Sequence, residues 1–250
     1  MPLDYERLLS TALPEEGPLR NVDAPVLICA TSGTSGEAKA VLHTQRTTAS
    51  AYSPMIEKFE IGADTHFVTG LAMYFATAYA GWTASFTAGG RHTIMPSYSP
   101  AGWVELVERL GATHGFLGPT PVYMIMDAGV DLSRLSSLRY LSMGGAVCDP
   151  SRLRALTSAL GSRVALQFSM TELGAGTVLL GREMLAADQD LLPVHRSAGR
   201  PVQGLAARIV DADGDQLHGE RRCESHEVGH GHQSEHEVPD QGHPQHGAEA

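Results

Sequence analysis

The sequence predicts an α/β fold: a mainly parallel sheet flanked by helices, with a disordered C-terminal tail. Three observations carry this expectation. Short apolar runs alternate with stretches of helical character, the pattern of parallel strands joined by helical crossovers. The helical stretches are bracketed by recognisable start and stop residues. The composition then breaks near Leu217, after which no Leu, Ile, Phe, Met, Tyr or Trp occurs.

In chain order, Val26–Ala30 reads as the first strand, and the hydroxyl-rich segment Thr31 to Lys39 follows it directly. Thr65–Thr69 reads as the next strand. Phe67 to Gly90 has no charged residue and is long enough to span a bilayer. Its threonines, Ser85 and glycines favour a buried helix of a large core over a membrane span. Arg91–Met95 is a strand. Ser99-Pro100 joins an N-cap residue to a proline suited to the first helical turn, and the helix ends at Gly111. Trp103, Val107 and Leu110 fall on one face of it. Thr113–Leu117 is a strand, and Thr120-Pro121 opens a helix that stops at Gly129. Leu138–Met143 is a strand, and Asp149-Pro150 opens a helix ending at Gly161, with Leu153, Leu156 and Leu160 on one face. Arg163–Phe168 and Ala206–Val210 complete the expected strands. No solenoid repeat is present.

The chain carries 28 Asp and Glu against 18 Lys and Arg, a formal net charge of −10. This balance argues against nucleic acid or an anionic membrane as partner, since both need a basic face. Cys29, Cys148 and Cys223 are scattered, contain no C-x-x-C pair and exclude a disulfide scaffold. The N-terminus does not read as a signal peptide, and the expected location is cytoplasmic. Lys39 and Lys58 are the two lysines of the sequence. Beyond Leu217 the chain is acidic and rich in histidine, and it cannot bury enough apolar surface to offset its ordering entropy. His226, His230, His232 and His236 have spacings that could hold Zn²⁺ or Ni²⁺ if ordered, but no cysteine pair or apolar scaffold fixes them.

The segment with the most chemistry is Thr31-Ser32-Gly33-Thr34-Ser35-Gly36-Glu37-Ala38-Lys39. Glycines let backbone N–H groups approach an anion, hydroxyls add donors, and lysine adds a point charge. Two readings remain open on composition: a loop that holds polyphosphate, or a flexible turn between strand and helix. It is not a Walker A loop, because Lys39 stands three residues beyond Gly36 and is followed by Ala40.

This segment resembles the Thr-Ser-Gly-Thr-x-Gly-x-x-Lys signature of the adenylate-forming, or AMP-binding, superfamily, which includes the acyl-CoA synthetases. Further matches follow in order: Gly118-Pro119-Thr120-Pro121, Ser142-Met143-Gly144-Gly145-Ala146, Gln167-Phe168-Ser169-Met170-Thr171-Glu172, Gly199-Arg200-Pro201 and Arg208-Ile209-Val210-Asp211. The resemblance implies that Thr31, Ser32, Gly33, Thr34, Ser35, Gly36 and Lys39 contact the ATP phosphates. It implies that Gly144, Gly145, Ala146, Gln167, Phe168, Ser169, Met170 and Thr171 surround AMP. Thr171 and Glu172 would be catalytic, Thr171 at the α-phosphate and Glu172 as the Mg²⁺ ligand. On its own, Glu172 would more often be a surface residue or a helix cap. The implied reaction joins a carboxylate to ATP as acyl-AMP with release of pyrophosphate, then forms a thioester with coenzyme A.

Departures from the family pattern narrow the substrate. Ser169 replaces a glycine. Phe75 stands where acyl-CoA synthetases often carry histidine, and Ala76 where peptide-synthetase adenylation domains place an aspartate. An amino acid would leave its ammonium unpaired, so a fatty or aromatic carboxylic acid is favoured. Tyr74, Phe75 and Gly118 are the candidate acyl pocket, while the plain alternative for Tyr74, Phe75 and Tyr79 is helix core.

The resemblance divides the chain into a linker-like leader (1–25), a central part of the AMP-binding domain (26–217) and the His-rich tail (218–250). The fold so implied is a partial adenylate-forming N-domain. The family's C-terminal domain brings a lysine to the carboxylate, and no lysine occurs after Lys58. The abrupt change after the Asp213–Glu220 turn is what a reading-frame shift would give. The expectation is therefore a fragment with impaired or absent thioester formation, whose exposed strand edges favour self-association. A non-catalytic nucleotide-binding module and a His-rich metal-binding protein are the alternatives.

Overall fold

The computed structural model describes residues 21–31, 39–188, 194–208, 210, 211 and 213. Most of the expected leader, residues 32–38 of the Ser/Thr/Gly loop and the whole tail from 218 lie outside the described residues.

The chain opens with an antiparallel hairpin of β1 (Pro25–Thr31) and β2 (Lys39–Thr44), in which Thr31 faces Lys39 across the ladder. Helix α1 (Gln45–Lys58) follows β2 without a loop. Thr44 ends the strand and also caps the helix: its side chain accepts from the Thr47 N–H, and the Thr47 hydroxyl accepts from the Thr44 N–H at 2.8 Å. This reciprocal cap satisfies two amide groups that the first helical turn leaves unpaired.

Strand and helix then alternate: β3 (His66–Thr69), α2 (Ala76–Thr87), β4 (Arg91–Ile94), α3 (Pro100–Leu110), β5 (His114–Leu117), α4 (Pro119–Asp127), β6 (Tyr140–Gly144), α5 (Pro150–Leu160) and β7 (Val164–Met170). β8 (Gly174–Leu180), α6 (Gly181–Asp188) and β9 (Arg200–Pro201) follow. The main sheet has seven strands in the order β4-β3-β5-β6-β7-β8-β9. From β4 to β7 all pairings are parallel, and β8 and β9 add antiparallel. The α/β class with a mainly parallel sheet is thus observed.

Side-chain alternation along the strands sorts the core into two layers. On one face, Leu141, Met143 and Val164 pack with Trp103, Val107, Ile125, Leu153 and Leu156 from α3, α4 and α5. On the other, Tyr140, Ala165 and Val178 pack with Tyr52 and Met55 of α1 and Ala80 and Ala84 of α2. Leu153, Leu156 and Leu160 are all buried, as their spacing predicts. Ser99 and Asp149 cap α3 and α5 through their side chains.

Four expectations differ from the observed elements. The Phe67–Gly90 stretch is not one helix: it contains most of β3, a turn and the 12-residue α2. Among the described residues no helix is long and apolar enough to cross a membrane. Helix α4 begins at Pro119 with Gly118 as its cap, not at Thr120-Pro121. Pro119 and Pro121 both fit there because first-turn N–H groups have no intrahelical partner. The segment after Thr31 leads into β2 rather than a helix. At 206–208 the chain has no regular structure, and the last strands of the sheet are β8 and β9.

Candidate functional site

The parallel strands β5, β6 and β7 end on one edge of the sheet, where ligands of open α/β sheets bind. There, a cavity of about 450 Å³ is bounded by the hairpin, α1, α2, the residue after β6 and the end of β7. Thr31 and Lys39 reach it from the two arms of the hairpin, Gly145 from the turn after β6, and Gln167, Ser169, Met170, Thr171 and Glu172 from β7 and the turn beyond it. Eight of the sequence-predicted site residues therefore share one wall. A neighbouring cavity of about 600 Å³ is lined by Gly145, Ala146, Val147, Gln167, Phe168 and Ser169, and also by Cys148 and His195. Gly145, Gln167 and Ser169 belong to both cavities. Gly144 is the buried last residue of β6.

The turn that carries Thr171 and Glu172 is held from three sides. The Leu173 N–H donates to the Met170 carbonyl at 3.2 Å. The His43 imidazole, 3% exposed on β2, donates from Nε2 to the Thr171 carbonyl at 2.9 Å. Gly174 has φ +76°, and a Cβ there would lie 2.6 Å from the Ala51 Cβ of α1, so the turn runs against that helix. Only glycine combines that backbone angle with that approach. The register of β7 and β8 also shifts between Phe168 and Ser169, beside the site.

The chemistry of the wall is mixed. Lys39 supplies an ammonium, Thr31, Ser169 and Thr171 supply hydroxyls, and Glu172 supplies a carboxylate. Gln167 is buried, and its Oε1 has no hydrogen-bond partner among the described residues. Such an orphaned acceptor is costly unless a ligand donor meets it. Tyr52 of α1 lines the first cavity, and burial pushes its phenol up to about 12, so it stays a neutral donor at ordinary pH. In the second cavity, burial raises the Cys148 thiol above its usual range, which makes it a poor nucleophile. Among the described residues no group of three or more His, Cys, Asp or Glu side chains is placed to hold a metal ion.

The candidate acyl residues are not brought to this wall. Tyr74 and Phe75 are 78% and 51% exposed and pack on each other, 4.6 Å between ring centroids. Gly118 caps α4 and lines neither cavity. The apolar wall comes instead from Tyr52, Met55, Ala76, Thr77, Ala80 and Ala175. The sequence reading missed these and His43. No hydropathy signal marked His43, because apolar but exposed Leu42 stands between Val41 and the buried histidine.

Relatives of this chain are acyl-CoA synthetases and ligases. It is 28% identical over 199 residues to an acetyl-coenzyme A synthetase of Bacillus subtilis, covering 75% of this chain and 32% of that protein. It is 27% identical over 218 residues to a medium-chain-fatty-acid–CoA ligase of Ectopseudomonas oleovorans, covering 82% and 39%. The chain thus spans well under half the length of these relatives. Its fold superposes on apo MatB from Rhodopseudomonas palustris with a TM-score of 0.70 at 20% identity, over 85% of this chain and 41% of that one. The family model described as AMP-binding enzyme matches residues 3–228, and the chain belongs to that family.

Proposed function

We propose that this chain binds MgATP and a carboxylic acid in the cavity at the ends of β6 and β7, as part of an acid–thiol ligase reaction that uses coenzyme A as acceptor. The observation that carries the proposal is the meeting of Thr31, Lys39, Thr171 and Glu172 on one wall. The first two are contributed from the N-terminal hairpin and the last two from more than 120 residues later. Lysine and hydroxyl donors suit phosphate oxygens, and Glu172 suits Mg²⁺, which binds through one or two carboxylates plus phosphates and water. Mg²⁺, when bound, would neutralise charge on the phosphates. The unpartnered Gln167 Oε1, on the wall shared with the second cavity, supports placing the adenine there with its amino group as donor.

In the proposed first step a carboxylate oxygen attacks the α-phosphorus, a P–O bond forms, and the bond to the β-phosphate breaks with its electrons leaving on pyrophosphate. Lys39 and Thr171 hold the oxygens on which charge grows. The neutral Tyr52 phenol and the apolar Met55, Ala76 and Ala80 suit a fatty or aromatic acid, and among the described residues no buried carboxylate lines the cavity to meet an ammonium. Thr31, Lys39, Thr171 and Glu172 would serve nucleotide binding alone equally well, so a nucleotide-binding module without ligation is the second reading. Cytoplasmic location fits both readings. Exposed Ile28, Leu42, Trp82 and Phe86 favour self-association.

The test is ATP–pyrophosphate exchange with a panel of fatty and aromatic acids, alongside thioester formation with coenzyme A. Acid-dependent exchange is expected. MgATP binding without exchange for any acid would favour the module. Acid-dependent thioester formation would exclude the module.

A further inference from the structure

We infer that His43 is a positioning residue that couples the hairpin bearing Lys39 to the turn bearing Glu172. This rests on the nucleotide-binding reading above and deepens it. His43 is not on the wall of the proposed ATP cavity; it lines a separate cleft of about 330 Å³ that Glu172 also borders. Its Nε2–H reaches the Thr171 carbonyl at 2.9 Å, and a carbonyl can only accept, so the bond fixes the ring nitrogen that carries the proton.

The rest of the lever is on the same unit. His43 lies four residues after Lys39 on β2, and Thr44 caps α1 with no intervening loop. Eight residues beyond His43, Ala51 presses on Gly174. The turn from Met170 to Gly174 is therefore gripped at two points by one rigid β2–α1 unit. Displacement of the hairpin must be transmitted to the Thr171 backbone, and so to Glu172, whose carboxylate is the proposed metal ligand. Outer contacts of this kind orient a ligand without touching the metal.

The experiment titrates ATP into the wild-type chain and into His43→Phe and His43→Gln, each with Mg²⁺ and with EDTA, and records thermal stability beside it. Phe removes the donor and keeps the ring, while Gln keeps an N–H at a similar reach. With Mg²⁺, His43→Phe should weaken ATP binding about ten-fold, and His43→Gln should recover most of the loss. With EDTA the variants and wild type should agree within about two-fold, because Glu172 then has no metal to hold. Should His43→Phe not fold, His43→Asn, whose amide is too short, takes its place with the same expectation. Unchanged MgATP affinity, or an equal loss with and without Mg²⁺, overturns the inference and leaves the nucleotide site standing. Absence of ATP binding in the wild type overturns both.

Discussion

Lys39 has a phosphate partner only if the hairpin loop holds ATP. Hydrogen bonds to charged groups are worth more than neutral ones, so Lys39→Ala should weaken MgATP binding roughly ten-fold or more while leaving thermal stability nearly unchanged. Calorimetry checks both halves, since Lys39 is exposed. Gly174 makes the opposite kind of demand. Its positive φ and its contact with Ala51 leave no room for a methyl group, so Gly174→Ala should cost about 1–3 kcal/mol and lower Tm by several degrees. A stable Gly174→Ala protein would mean that the turn is not pressed on α1. Gly199 is a parallel case: it has φ +90° with its backbone against Val178, which explains the glycine of the Gly199-Arg200-Pro201 match.

At the scale of elements, the helices are held by caps that can be removed singly. The Ser99 side chain accepts from the Gly102 N–H at 3.2 Å, so Ser99→Ala should cost about 1 kcal/mol in chemical denaturation, without a change in nucleotide affinity. The elements that were legible in the sequence have such markers. Ser99-Pro100 and Asp149-Pro150 start α3 and α5, and the leucines of α5 repeat on one face. Those that were missed lack them. β2 buries His43 and exposes Leu42, the reverse of their hydropathy, and only pairing with β1 makes it a strand. β8 contains Gly174, Ala175 and Gly176, which weaken any strand signal, and its register is set by β7. The cavity lining was legible where spacing is fixed by motif, as for Lys39, Thr171 and Glu172. It was not legible where it depends on how α1 and α2 lie on the sheet. Tyr52, Met55 and Ala80 could be assigned to the cavity only by that packing, and the same packing leaves Tyr74 and Phe75 in solvent.

At the scale of the whole molecule, buried histidines give the fold a pH dependence. His92 stacks on Phe67 at 5.1 Å, and burial pushes its imidazole down from 6.5 to about 4. Burial also lowers His66, with Arg91 adding to it, and His114, whose Nε2–H donates to the Phe59 carbonyl at 2.7 Å. A depressed folded value means that the unfolded chain takes protons that the fold refuses. The stabilisation is complete above about 6.5 and declines as pH falls toward about 4. Asp23, held low by Arg46, adds its own loss only below the ordinary value of 3.8. Tm should therefore fall by several degrees between pH 7 and pH 5, and His92→Phe should flatten that slope. An identical slope in the variant would remove His92 from the explanation.

Thr31 and Lys39 of the hairpin and Thr171 and Glu172, more than 120 residues later in sequence, are proposed to form one MgATP site. The most direct measurement is a calorimetric titration of MgATP into the intact 250-residue chain, repeated with Lys39→Ala and Glu172→Gln. One saturable site is expected in the wild type, weakened by both substitutions, with the Glu172→Gln loss confined to titrations containing Mg²⁺. No saturable binding by a folded wild-type chain, or binding indifferent to both substitutions, would contradict it.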